Sequence, residues 1–163
     1  MNETYKINFK FFIFDKCLNI KFNDGSRFTF RTKENLAKKI FQIFINYLKQ
    51  ISDCTNITCL QNRGRFHPIR SEHKEKIKII YKLNGFLTNQ YDQFLENEVY
   101  QIKLPGQGVR LMFILIDSPN KTNKNFLPLF IDANHSVYYD SKFEKEYHTC
   151  FRCFGRKCEV KSK

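Results

Sequence analysis

Residues 100–139 read YQIKLPGQGVRLMFILIDSPNKTNKNFLPLFIDANHSVYY, and this stretch decides the fold. Residues 100–104 alternate apolar and polar side chains, the period of a half-buried strand. Pro105-Gly106-Gln107-Gly108 supplies a turn, and residues 109–117 follow with a continuous apolar run from Leu111 to Ile116. A run of that length bounded by turn signals predicts a central strand covered on both faces. Residues 118–125 form a turn-rich loop, and residues 126–132 read as a third strand. Pro128 within it has no N–H to donate, which places it at a sheet edge or a bulge. Together these segments predict an antiparallel three-stranded meander, with Asn134, His135, Tyr138 and Tyr139 just past its end.

Working outward, Tyr5, Ile7, Phe9, Phe11 and Ile13 recur with period two, as do Leu18, Ile20 and Phe22, then Phe28 and Phe30. The Asn23-Asp24-Gly25 connection admits two registers. A two-residue Asp-Gly loop sets Phe22 opposite Arg27 and mixes the faces, whereas a three-residue loop pairs Ile20 with Phe28 and Leu18 with Phe30. The second is preferred, and it puts Gly25 at the left-handed position such a loop needs. Thr32 reads as an N-cap and Glu34 as the acidic residue of a first turn. Leu36, Ile40, Phe44, Leu48 and Ile51 then recur at helical spacing, predicting an amphipathic helix over 33–51. Residues 52–70 have no clear period. A second helix is expected over 71–84, capped by Ser71, burying Ile77, Ile80 and Tyr81, and closed by Asn84-Gly85. Residues 86–99 read as a loop or short helix. The fold class is therefore α+β: an antiparallel sheet with an N-terminal β-hairpin and a C-terminal three-stranded meander, packed against two or more helices. Residues 1–163 form a single domain, with 141–163 as a cysteine-bearing appendage.

The totals narrow the function. Lys and Arg number 28 against 16 acidic residues, a net charge of +12, which favours an anionic partner, nucleic acid before a membrane surface. The 18 Phe and the low Gly and Pro counts exclude a disordered chain. Residues 11–14 are too short an apolar run for a signal peptide, and no stretch approaches the roughly 20 apolar residues of a membrane helix. A cytoplasmic protein without a membrane partner is expected, and its six cysteines are then read as thiols or metal ligands rather than disulfides.

Two clusters carry candidate chemistry. From Arg63 to Lys82 seven Lys or Arg face two Glu, and Arg63, Arg65, Arg70, His73, Lys74 and Lys78 are read as a phosphate-binding ridge, the alternative being a solvated helix face. RNA cleavage without metal needs cations for the scissile phosphate, a group that takes the 2′-hydroxyl proton and one that protonates the leaving oxygen. The planar fork of Arg110 suits the first. His135 suits acid or base work, and Tyr138 or Tyr139 suits base stacking or proton positioning. Alternatively, Arg110 bridges a carboxylate, His135 caps the edge strand, and the tyrosines belong to the core. Asp117 and Asp132 at strand ends are a weaker candidate pair of metal ligands. In the tail, His148, Cys150, Cys153 and Cys158 are enough ligands in principle for one tetrahedral zinc. The reading preferred there is no cofactor, with Phe151 and Phe154 packing the tail onto the body.

Arg110-Leu111-Met112-Phe113-Ile114, a polar turn, and an apolar strand ending shortly before His135 and Tyr138 resemble the C-terminal half of RelE/YoeB-type toxins, small ribonucleases of toxin–antitoxin systems. The resemblance covers about residues 67–139. It matches Arg110 to the family's strand arginine, and His135 with Tyr138 or Tyr139 to its terminal pair. It implies an endoribonuclease that cleaves mRNA, on the ribosome, and is inhibited by an antitoxin. This chain departs from the family in its length, its hairpin at residues 18–30 and its cysteine-bearing tail. The competing expectation is a non-catalytic basic interaction protein, phage- or mobile-element-encoded, that binds nucleic acid or an acidic protein through the ridge.

Overall fold

The computed structural model describes residues 4–13, 18–62, 66–85, 92, 96–105, 108–119, 123–138, 149–150 and 161–162. In chain order the elements are β1 (Thr4–Ile7), β2 (Leu18–Lys21), β3 (Arg27–Thr29), β4 (Arg31–Thr32), α1 (Glu34–Ser52), α2 (Ile57–Asn62), β5 (Phe66–Pro68), α3 (Ser71–Leu83), β6 (Val99–Lys103), β7 (Arg110–Asp117), β8 (Asn123–Asp132), β9 (Thr149–Cys150) and β10 (Lys161–Ser162). The chain is α+β, and the meander β6-β7-β8 is its centre.

β7 runs antiparallel to β6 and β8, and Leu111, Met112, Phe113 and Ile114 are buried in succession, as a strand covered on both faces requires. Pro128 lies at a bulge. Met112 faces Phe130 and Phe113 faces Pro128, so Leu129 is the extra residue. The Leu129 carbonyl accepts the Ile13 N–H at 2.7 Å, so the irregularity created by the proline is used to hold the N-terminal segment.

The sheet has five strands in the order β1-β8-β7-β6-β5. Two of them differ from expectation. β1 joins β8 in parallel, which makes the sheet mixed rather than purely antiparallel. The period-two run of residues 5–13 is also not one strand, because pairing ends at Ile7. The Asn8 side chain then accepts the Lys10 N–H, the Phe12 N–H bonds back to the Phe9 carbonyl, and the chain turns away. β5, in the segment without a period, pairs antiparallel with β6 as the other edge.

The hairpin has the expected register, Ile20 opposite Phe28, with the Phe22 N–H on the Ser26 carbonyl closing a three-residue loop and Gly25 at φ 85°. Phe28 sets its ring edge-on to Phe130 at 5.1 Å, docking the hairpin on the meander. The tail residues of β9 and β10 pair with β4 and β2.

α1 buries Ala37, Ile40, Phe44, Tyr47, Leu48 and Ile51, each large side chain stabilising by about 1.5–3 kcal/mol. Its N-cap is Lys33 without a side-chain cap, and Thr32 belongs instead to β4. In α3 the N-cap is Arg70, again without a side-chain cap, and Ser71 is the first helical residue. Asn84 ends α3, and Gly85 takes the left-handed conformation that terminates it. Tyr81 of α3 donates its hydroxyl to the Phe11 carbonyl at 2.6 Å and packs near Phe130, so helix, N-terminal turn and sheet share one core. Cys54 and Cys59 form a disulfide at the α1–α2 junction, against the expectation of thiols or metal ligands rather than disulfides. Cys54 follows the end of α1 at Ser52 and Cys59 lies in the first turn of α2, with 5.5 Å between their Cα atoms. No helix among the described residues is long and apolar enough to cross a membrane.

Candidate functional site

At the end of β8 the chain must leave the sheet, and Asp132 sets how it does so. Its carboxylate is buried and accepts three backbone N–H groups, those of Asn134 at 3.2 Å, Ser136 at 2.9 Å and Val137 at 2.9 Å. Three such bonds curl residues 133–138 into a tight turn in which His135 adopts φ 60°, the left-handed region that a side chain with a Cβ rarely occupies. The turn is bonded to the hairpin as well. Asn134 Nδ2 donates to the Arg31 carbonyl at 2.8 Å and the Thr29 carbonyl at 3.3 Å, and Ser136 Oγ donates to the Arg27 carbonyl at 2.6 Å.

Within the turn, His135 Nδ1 lies 3.0 Å from the Tyr138 carbonyl. A carbonyl only accepts, so Nδ1 carries the proton and proton transfer falls to Nε2. Tyr138 in turn meets two more histidines. Its ring lies 3.9 Å from that of His73 on α3 and 6.0 Å, edge-on, from that of His67 on β5, while its hydroxyl accepts the Arg70 N–H at 3.1 Å. Burial lowers the basicity of His73 more than Glu72, 3.4 Å away, restores it; Lys76 and Arg70 act in the same direction as burial. His67 is exposed, and the buried amide of Gln101 reaches over it, with Nε2 2.8 Å and 3.3 Å from the two ring nitrogens. Proximity to both nitrogens at once means the amide faces the ring rather than one lone pair.

Register connects this cluster to Arg110. His67, Gln101, Met112 and Phe130 form one cross-strand row, and Lys103, Arg110 and Asp132 form the next on the same face, about 7 Å along the strands. Arg110 is half-buried and donates Nη1 to the Val109 carbonyl at 3.2 Å. The structure thus brings Arg110, His135 and Tyr138 to one end of the sheet. It also brings Arg70 and His73 there from the ridge, and adds His67, which lay in a segment without periodicity. Lys78 is drawn into a 2.9 Å pair with Glu75, and Arg70 stands 3.9 Å from Glu72; Lys74 is half-buried beside them on α3. Arg63, Arg65, Tyr139, His148, Cys153 and Cys158 lie outside the described residues. Cys150 is buried in β9 opposite Arg31. Asp117 and Asp132 do not pair as metal ligands. They sit at opposite ends of the β7–β8 ladder, Asp117 4.0 Å from Lys124 and Asp132 committed to the turn. Among the described residues no three His, Cys, Asp or Glu side chains are grouped to hold a metal ion.

A family model described as Uncharacterised protein UU032 matches residues 9–157. The chain belongs to that family. No curated protein and no solved structure matches the chain. The stretch matched to the UU032 family contains the hairpin, α3, the meander and the 133–138 turn, and so every element that builds the histidine cluster.

Proposed function

We propose that the chain is a toxin-like endoribonuclease that binds RNA across the face where β5, the first turn of α3 and the 133–138 turn meet. The observation that carries this reading is the gathering of His67, His73 and His135 around Tyr138, on the sheet face and end that also hold Arg110. In the proposed reaction His135 Nε2 takes the proton of a 2′-hydroxyl. The 2′-oxygen attacks phosphorus, the bond to the 5′-oxygen breaks, and an imidazole of the cluster, assigned to the exposed His67, returns a proton to that oxygen. The products are a 2′,3′-cyclic phosphate and a 5′-hydroxyl. Arg110 stabilises the charge developing on the phosphate, and Arg70, Lys74 and Lys78 hold the flanking backbone. The net charge of +12 supports an RNA substrate. With the likeness to RelE/YoeB-type toxins, the reading extends to mRNA on the ribosome, a cytoplasmic setting and neutralisation by a small acidic antitoxin.

The test is incubation of the purified chain with RNA, with and without translating ribosomes, in the presence and absence of a chelator. Cleavage with cyclic-phosphate ends, indifferent to chelation and abolished by His135→Ala or Arg110→Ala, is expected. RNA that stays intact under every condition while still bound, with binding unaffected by His135→Ala, overturns the enzyme and leaves a nucleic-acid-binding protein. That second reading has one observation in its favour: the Tyr138 ring already packs against that of His73, tilted by 46°.

A further inference from the structure

We infer that Lys76 is a positioning residue, whose ammonium clamps the turn bearing His135 and Tyr138 to the tip of the β2–β3 hairpin. The kinetic part of its test rests on the ribonuclease reading above; the geometric part does not.

Lys76 lies three residues beyond His73 on α3, so the two side chains share a face of that helix. Its side chain is only 13% exposed, and a cation so placed needs partners to replace water. It has three, one for each ammonium hydrogen. Nζ pairs with Asp24 Oδ2 at 2.6 Å and donates to Ser26 Oγ at 2.9 Å and to the Ser136 carbonyl at 3.1 Å. The Phe22 ring centroid is 5.1 Å from the same nitrogen, within cation–π range. The hairpin tip is prepared for it, because Asp24 Oδ1 accepts both the Ser26 N–H at 3.0 Å and the Ser26 hydroxyl at 2.6 Å. One cation therefore ties together three elements distant in sequence: the hairpin tip, α3, and the turn after β8. Lys78, two residues on, pairs with Glu75 of its own helix. The consequence for the site is geometric. His73 rides on α3, Tyr138 rides on the turn, and Lys76 fixes one against the other.

Lys76→Met retains the aliphatic stem and removes the charge. In the full chain it is expected to leave the far-ultraviolet circular dichroism unchanged and to move the His73 ring resonances, shifted by the Tyr138 face, towards their positions in Tyr138→Ala. RNA cleavage should lose roughly tenfold to a hundredfold in kcat with a much smaller change in KM, as misplacement of a reacting group does. Lys76→Arg should recover part of both signals, and Lys38→Met, on the exposed face of α1, should alter neither. Should Lys76→Met fail to fold, the double variant Asp24→Asn with Ser26→Ala removes the hairpin acceptors and is expected to move the His73 resonances in the same direction by a smaller amount, because the Ser136 carbonyl still holds Nζ. His73 resonances that stay at their wild-type positions in whichever variant folds overturn the clamp. A wild-type chain that cleaves no RNA, with the His73 shift still lost in Lys76→Met, overturns the ribonuclease and supports the clamp.

Discussion

The ring of Tyr138 packs against that of His73, 3.9 Å between centroids and tilted by 46°, joining the turn after β8 to the first turn of α3. The contact separates two roles of one side chain. Tyr138→Phe keeps the ring contact and loses only the acceptor for the exposed Arg70 N–H, which water can replace, so a loss of no more than about 1 kcal/mol is expected. Tyr138→Ala removes the ring from both histidines and should destabilise by about 1 kcal/mol more than Tyr138→Phe does. Urea unfolding midpoints of the two variants compare these directly. Equal midpoints would show that the ring contact contributes nothing to stability.

Asp132 yields a second prediction. Asn in its place keeps one carbonyl oxygen but turns an amide N–H₂ towards backbone N–H groups that the second carboxylate oxygen now serves. At a buried site such a mismatch costs about 1–3 kcal/mol. The loss should be local. Hydrogen exchange at the amides of Asn134, Ser136 and Val137 should quicken about fivefold to a hundredfold in Asp132→Asn, in line with that cost, while β7 amides keep their protection. Protection unchanged at all three amides would show that the carboxylate is not what holds His135 at φ 60°.

Much of this framework is legible in the sequence, because period and turn chemistry act over a few residues. The uninterrupted run 111–116 identified a central strand, Pro128 an edge or a bulge, of which the structure has the bulge, and Gly25 the left-handed position of a three-residue loop. What local pattern does not encode is pairing between distant segments. Nothing in residues 4–7 says that they lie parallel to β8, and nothing in Phe66-His67-Pro68 marks an edge strand, because both depend on an edge supplied elsewhere. The site divides in the same way. Arg110 and His135 could be named from residue type and their place beside a strand, whereas His67 enters only through its register with Gln101, and Lys76 only through acceptors far away in sequence. Asp132 was visible as a carboxylate at a strand end, but its role follows from where three N–H groups point.

Burial makes His73 harder to protonate in the folded chain than in the unfolded one, with Lys76 and Arg70 adding to the effect and Glu72 opposing it. The unfolded state therefore binds more protons between the folded pKa and the ordinary value of 6.5, and stability rises with pH across that window. Lowering the pH through 6.5 should shed stability, levelling off once the folded-state imidazole is also charged. His73→Gln, which cannot titrate, should flatten that part of the profile, and unfolding midpoints collected from pH 8 to pH 5 measure it. A second limb belongs to Asp24. Burial alone would raise its carboxyl, but hydrogen bonds from Lys76 and Ser26 together with the Lys76 charge hold it at about 2, below its ordinary 3.8. That contribution is present above 3.8 and is lost as the pH falls towards 2. Lys76→Met should blunt the acid limb and, because the Lys76 charge contributes to the His73 shift, shrink the His73 limb to the part that burial and Arg70 maintain.

If RNA lies across α3 and β5, affinity should fall with salt in proportion to the number of phosphates neutralised, with a slope of about 0.7 per contact for a single strand. Arg70 is the N-cap of α3 and Lys74 lies in its first turn, on either side of His73, so Arg70→Ala with Lys74→Ala should reduce the slope by about 1.4 if each meets one phosphate. Lys38 belongs to a different surface and already pairs with Glu34 at 2.6 Å, so Lys38→Met should leave the slope unchanged. Because Arg70 also places its N–H on Tyr138 through the backbone, truncating its side chain removes charge without removing that bond. Titration of a labelled single-stranded RNA at several salt concentrations gives all three slopes. A slope that responds to Lys38→Met and not to the α3 pair would move the RNA path to α1 and away from the histidine cluster.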